Sequence, residues 1–177
     1  MNICVFCSAS EVAEKYNQPA AEFAKLIGEH GHTLVWGGSD KGTMKVIADA
    51  AQSSGGKIIG VTMELLKANA RENADEMHVM SSLTERKAML LEKADAIVVL
   101  PGGLGTLDEI TEVMELKKHN QHNKSLVILN TDGFYGGFKA QLERMDAEGF
   151  LPRSLSELVA FADTPEGAMR YIEAHGS

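Results

Sequence analysis

Ile97-Val98-Val99-Leu100-Pro101-Gly102-Gly103-Leu104-Gly105-Thr106-Leu107-Asp108-Glu109 runs from an unbroken apolar segment, through a glycine-rich turn, into a helical pattern. Four aliphatic residues in a row, without polar alternation, describe a strand buried on both faces. Such strands belong to parallel sheets covered by helices on either side. The glycines after Pro101 let the backbone approach a ligand closely. The first amides of a helix lack intrahelical partners and carry partial positive charge, so an anion fits there. Thr106 is placed as the cap of the helix, with a hydroxyl free to donate. One glycine would suffice for a tight strand-to-helix turn. Three glycines and a threonine point instead to a phosphate cradle made of Gly102, Gly103, Leu104, Gly105 and Thr106.

Outward from this turn, strand-length apolar runs alternate with segments of helical period. The strands expected are 3–7, 33–36, 58–61, 78–80, 97–100, 127–129 and 159–161. The helices expected are 20–29, 43–52, 83–93, 107–119, 138–148 and 166–175. Ser82 with Glu85 reads as a capping box, and Thr164-Pro165 as a cap followed by an N1 proline. Gly31 and Gly149 follow helices as C′ residues. Right-handed crossovers then give an α/β, doubly wound, Rossmann-like, mostly parallel sheet of about seven strands with helices on both faces. Neither repeats nor a linker interrupt the pattern, so residues 1–177 are expected to form one domain. The least regular stretch, 62–76, is expected to be a loop over the site.

Composition narrows the function. Lys+Arg of 17 against Asp+Glu of 25 gives a net charge of −8, a poor match for a nucleic-acid backbone. No run reaches the ~18 apolar residues of a membrane span, and no signal-peptide pattern opens the chain, so a cytoplasmic protein is expected. Cys4 and Cys7 form a C-x-x-C spacing, but inside a strand they point to opposite faces, which favours a structural role. His119 and His122 read as the end of a solvated helix rather than as metal ligands.

Ligands of open parallel sheets bind beyond the carboxyl ends of the strands. Two further loops reach that edge: Cys7-Ser8-Ala9-Ser10, which offers Ser8, and Gly37-Gly38-Ser39-Asp40-Lys41-Gly42-Thr43, which offers Gly38. The second is not a Walker A loop, because Thr43 stands where lysine must reach the phosphates, and no G-x-G-x-x-G is present. Glu109 lies one helical turn beyond the glycines. A carboxylate there would repel phosphate unless it addressed the attached sugar, where it would hold hydroxyls, orient water or steady an oxocarbenium-like centre. Asp108 joins the candidate contacts, although its charge, like those of Glu112 and Glu115, also complements the helix dipole. Arg86 and Lys87 supply matching cations.

The turn resembles the P-G-G-x-G-T-x-x-E signature of the Lonely Guy (LOG) family, the cytokinin riboside 5′-monophosphate phosphoribohydrolases, many of which carry the label "possible lysine decarboxylase". The likeness extends to Val5–Ser10, to Trp36-Gly37-Gly38 with Gly42-Thr43-Met44, to Gly55–Val61 and to Asn130–Tyr135. Glu85-Arg86-Lys87 matches the family's E-R-K, with Arg86 placed 23 positions before Glu109. The resemblance implies hydrolysis of the N-glycosidic bond of a purine nucleoside 5′-monophosphate, AMP or a cytokinin riboside monophosphate. It implies no metal or redox cofactor, and a homodimer. It assigns Arg86 and Glu109 as catalytic, Gly102, Gly103, Gly105 and Thr106 to the phosphate cradle, and Lys87 to the substrate. The chain departs from the family at Thr43-Met44-Lys45, at Thr84 before E-R-K, at Glu115–Lys118 and at Thr62. The competing expectation is a non-enzymatic carrier or sensor of a phosphorylated ligand, similar to molybdenum-cofactor carrier proteins. Retention of both Arg86 and Glu109 favours the hydrolase. Lysine decarboxylation is set aside, because no lysine occupies a recognisable Schiff-base setting.

Overall fold

The computed structural model describes residues 1–176; Ser177, the last residue of the expected domain, lies outside the described residues. Seven strands form one sheet: β1 (Asn2–Phe6), β2 (Thr33–Trp36), β3 (Lys57–Met63), β4 (Glu76–Met80), β5 (Ala96–Val99), β6 (Ser125–Leu129) and β7 (Ala160–Ala162). Their order is β4-β3-β2-β1-β5-β6-β7, and every pairing is parallel. The chain therefore winds outward from β1 in one direction, then crosses over and winds outward in the other. This reversal opens a crevice beyond the carboxyl ends of β1 and β5.

Helices cover both faces. One face carries α1 (Glu14–Glu29), α2 (Gly42–Ser53) and α7 (Pro165–His175), whose Phe23, Ile27, Ile47, Met169 and Ile172 pack on Ile3, Val5, Leu34 and Trp36. The other face carries α3 (Leu83–Lys93), α4 (Leu104–Lys118), α5 (Gly136–Ala147) and α6 (Leu155–Leu158), whose Leu90, Ile110, Val113, Leu142 and Leu158 pack on Cys4, Val35, Ile97 and Ile128. Cys7 belongs to the first layer and Cys4 to the second; both are free thiols, and burial pushes each well above its ordinary pKa. The alternation read from the sequence is the alternation observed.

The terminal signals behave as expected at most helices. Gly31 and Gly149 follow α1 and α5 with φ of 71° and 78°. Thr164 accepts from the Gly167 amide, with Pro165 opening α7. At α3 only half of the capping box forms. Ser82 accepts from the Glu85 amide, but the Glu85 carboxylate turns to Ser81, accepting from its amide and its hydroxyl. A complete box occurs at Ser154 and Glu157, where the sequence reading had placed no helix.

Most element ends shift by a residue or two from the expected ones, and three larger differences bear on the site. Helix α1 begins at Glu14, six positions before Ala20, and runs through Pro19. Tertiary contacts outweigh the proline: Tyr16 packs edge-on against Phe134, and Asn17 accepts from Thr43. Helix α4 begins at Leu104, so Gly103 is its cap and Thr106 sits inside the first turn rather than capping it. The irregular segment also proves anchored. It comprises the end of β3, a 3₁₀ turn (Glu64–Asn69) and the start of β4, and Arg71 within it is buried on Asp40 and Asp49 at 2.7 Å each.

Candidate functional site

The strand β5 ends at the turn Leu100–Gly103, and α4 leaves from it. Tyr135 fixes the start of the turn by donating its hydroxyl to Leu100 O at 2.9 Å. Gly102 is demanded by the protein itself, since a Cβ there would lie 2.2 Å from Thr106 Oγ1. Gly103 and Gly105 are different. A Cβ at either would meet no atom within 4 Å, and neither has a positive φ. Among the described residues, the amides of Leu104, Gly105 and Thr106 find no acceptor, and no side chain caps the helix. Two glycines that packing does not require thus leave bare the part of the helix with unpaired donors. Backbone N–H groups in that state, backed by the helix dipole, suit an anion.

Glu109 stands inside the fold, one turn further along α4. It is 7% exposed, and its Oε1 accepts from Arg86 Nη1 at 3.0 Å. Arg86, 8% exposed, comes from the first turns of α3 and also donates Nε to Val61 O at 3.0 Å. Gly37 gives its guanidinium room, because a Cβ there would lie 2.4 Å from Arg86 Nη2. The arginine therefore crosses the carboxyl ends of β2 and β3 to reach α4. Burial holds the Glu109 carboxyl above its ordinary pKa, and the opposing pull of Arg86 does not overcome it. A shielded carboxylate held by one side of a guanidinium is suited to a positive charge developing nearby, because little water competes with it.

The other candidates are divided. Lys87 pairs with Asp108 at 2.9 Å and also with Glu112, and these partners, Glu112 foremost, hold its ammonium above the ordinary pKa. A substrate contact through Lys87 or Asp108 would have to loosen that cluster. Ser8, Gly102 and Gly103 line a hollow of about 250 Å³ together with Tyr16, Pro101 and Phe134. Glu109 and Lys87 line a larger groove of about 440 Å³ between α3 and α4, with Thr84, Ala88, Leu91, Val113 and Leu116 along its walls. Gly38, at φ 76°, turns the β2 loop under Met77, and its carbonyl accepts from the Arg71 amide. Leu104 is 86% exposed at the lip of the turn.

Sequence reasoning missed Tyr16, Phe134 and Tyr135 around the turn. Tyr16 sits on the part of α1 that had not been expected, and nothing in its neighbours marks it. Phe134-Tyr135 had a signal, since they close the Asn130–Tyr135 segment already singled out, but no role had been drawn from it. The sequence reads both His119 and His122 as a solvated helix end, but only His119 is exposed. His122 bonds Val113 O and accepts from the Lys124 amide, so it supports the end of α4, while His119 is exposed against Glu115.

An all-parallel sheet that reverses direction at β1 and β5, with an open helix start and a buried ion pair at its carboxyl edge, defines a doubly wound α/β protein built to hold a ligand at that edge. The chain belongs to the Lonely Guy family: the family model described as "Possible lysine decarboxylase" matches residues 44–172. It is 37% identical over 176 residues to a protein of Oryza sativa subsp. japonica named probable cytokinin riboside 5′-monophosphate phosphoribohydrolase, covering 98% of this chain and 78% of that one. It is 35% identical over 178 residues to the cytokinin riboside 5′-monophosphate phosphoribohydrolase of Rhodococcoides fascians, covering 98% and 89%. Among solved structures, the molybdenum cofactor binding protein of Rippkaea orientalis superposes with a TM-score of 0.76 at 23% identity, covering 98% of this chain and 95% of that one. At that identity the likeness speaks for the fold.

Proposed function

We propose that this protein hydrolyses the N-glycosidic bond of a purine nucleoside 5′-monophosphate, releasing the free base and ribose 5-phosphate. The observation that carries the proposal is the pairing of an unsatisfied helix start with a buried Arg86–Glu109 pair one turn away. The phosphate sits on the amides of Leu104, Gly105 and Thr106, and the ribose lies toward Glu109. The C1′–N bond breaks with its electrons leaving on the base, which takes up a proton. Water adds to C1′ and gives its own proton to solvent. Glu109 steadies the ribosyl cation and orients that water, while Arg86 holds the carboxylate in place and assists the phosphate or departing base. Relatives named as phosphoribohydrolases at 37% and 35% identity support the same reaction.

Incubating the purified protein with AMP and with a cytokinin riboside monophosphate, and following free base by chromatography, tests the reading. Base and ribose 5-phosphate in equal amounts are expected. A protein that bound the nucleotide and left it intact would be a carrier, and the hydrolase would be excluded.

The glycines give a prediction in which stability and binding part company. Gly105→Ala is expected to raise unfolding stability by about 0.5–1 kcal/mol, because alanine is the better helix former and meets no neighbour. The same change is expected to raise KM for AMP by about tenfold or more, because the new methyl stands beside the amides that take the phosphate. Denaturant unfolding and steady-state kinetics on one preparation check both. A stabilised variant with unchanged KM would move the phosphate elsewhere.

We place the protein in the cytoplasm as one domain that works as a homodimer. Its two free thiols suit a reducing compartment, and no helix among the described residues is long and apolar enough to cross a membrane. The dimer surface is assigned to α4 and its neighbours, where Ala88, Leu91, Val113 and Leu116 line the open groove between α3 and α4. Sedimentation across a range of concentrations is expected to show a dimer, and Leu116→Glu to shift it toward monomer. A concentration-independent wild-type monomer contradicts the assignment.

A further inference from the structure

At the opposite edge of the sheet, where strands begin, three side chains from separate elements meet. His30 ends α1, His32 immediately precedes β2, and Glu173 lies on the last turns of α7. His30 Nδ1 is 2.7 Å from Glu173 Oε1, and His32 Nε2 is 3.1 Å from the same oxygen. The three donor atoms all lie within 4.8 Å of one another. His32 is the most shielded of the three at 14% side-chain exposure, and its other nitrogen, Nδ1, lies 3.4 Å from Met1 N, which leaves Nε2 to face the cluster.

We propose that His30, His32 and Glu173 form a binding site for a divalent transition-metal ion, zinc being the ion of best fit. Two imidazole nitrogens and one carboxylate oxygen are the donor set that zinc takes in sites where water completes the shell. Magnesium and calcium favour shells made of oxygen and are expected not to compete. The two measured separations stand close to the roughly 3.3 Å edge of a tetrahedron with bonds of about 2.0 Å, so small side-chain rotations admit the ion. A single ion pair would account for one imidazole on Glu173. Here both imidazoles converge on one oxygen, and the third side of the triangle, between the two ring nitrogens, is no longer than 4.8 Å. The bound ion ties α7 to the turn between α1 and β2, and by binding only the folded chain it raises the melting temperature.

The test uses the full-length protein stripped with a chelator. Titration calorimetry is expected to give one zinc per chain, with a matching rise in melting temperature, and magnesium is expected to give neither. His32→Ala and Glu173→Gln should each weaken zinc binding by more than about tenfold, and the His30→Ala/His32→Ala double variant should abolish it. Cobalt supplies a readout independent of stability: its visible absorption should report an imidazole-containing shell in the wild type and vanish in the double variant. Base release from AMP should be unchanged in all three variants, which shows that they fold. Zinc affinity unaltered by the double variant, a total absence of binding, or half a zinc per chain with association between molecules would each overturn the proposal.

Discussion

Glu109→Gln is expected to lower kcat for AMP cleavage by about 10³-fold while changing KM by no more than about threefold. Glutamine keeps the size of the side chain and can still accept from Arg86 Nη1, so geometry is preserved and only the negative charge is lost. That charge acts on a cation existing only near the transition state, so the loss appears in kcat. The wild-type pH profile gives a second test. Burial raises the Glu109 pKa above its ordinary 4.5, and the carboxylate is the form the mechanism requires. The acidic limb of kcat/KM should therefore fall at a pH above 4.5, and the kcat/KM profile of Glu109→Gln should lose that limb. The same shift has a sign for folding. The contribution of a carboxyl with a raised folded pKa is complete below 4.5 and is lost as pH rises through the folded value. A Glu109→Gln enzyme with wild-type kcat would remove the carboxylate from the chemistry.

Arg86→Ala is expected to cost both activity and stability, and the stability cost should depend on pH. Removing the guanidinium takes away the Nη1 bond to Glu109 and the Nε bond to Val61 O, and leaves a buried carboxylate facing no cation. Breaking a buried pair by deleting one partner costs about 3–5 kcal/mol. Without Arg86, the Glu109 pKa rises further, so the variant escapes part of this penalty by protonating. Urea unfolding should accordingly show a small destabilisation near pH 5 and a growing one toward pH 8. Activity should fall by about 10²–10³-fold. Arg86→Lys should restore some stability and little activity, because an ammonium cannot meet Glu109 and Val61 O together as the guanidinium does. A pH-independent loss of stability would mean that Glu109 is not the group left exposed to the change.

Much of this was legible in the sequence because the signals were local or periodic. The apolar runs at Ile97–Leu100 and Val127–Leu129 mark two-sided burial, and their alternation with helical segments leaves few arrangements of a parallel sheet. Caps written into two or three neighbouring residues, such as Thr164-Pro165, survived because nothing distant competes with them. The errors came where distant contacts decide. The first turn of α1 depends on Phe134 and Thr43, which no local pattern around Glu14–Gln18 discloses. Thr106 looked like a cap because threonine suits caps, but Gly103 already holds the extended backbone that opens a helix. The site divided in the same way. The family's two motifs single out Arg86 and Glu109 separately, and it is the fold that brings them into contact. The capture of Lys87 by Asp108 and Glu112 follows from how α3 lies along α4, and spacing alone does not give it. Nor did spacing join His30 and His32 to Glu173, more than 140 positions away.

The most direct measurement is the structure of Glu109→Gln soaked with AMP, in which slowed turnover keeps the nucleotide whole. The phosphate oxygens should lie within hydrogen-bond distance of the Leu104, Gly105 and Thr106 amides, with the ribose C1′ beside residue 109 and the base beyond it. A nucleotide seated with its base on the glycine turn, or with its ribose turned away from residue 109, would contradict the account.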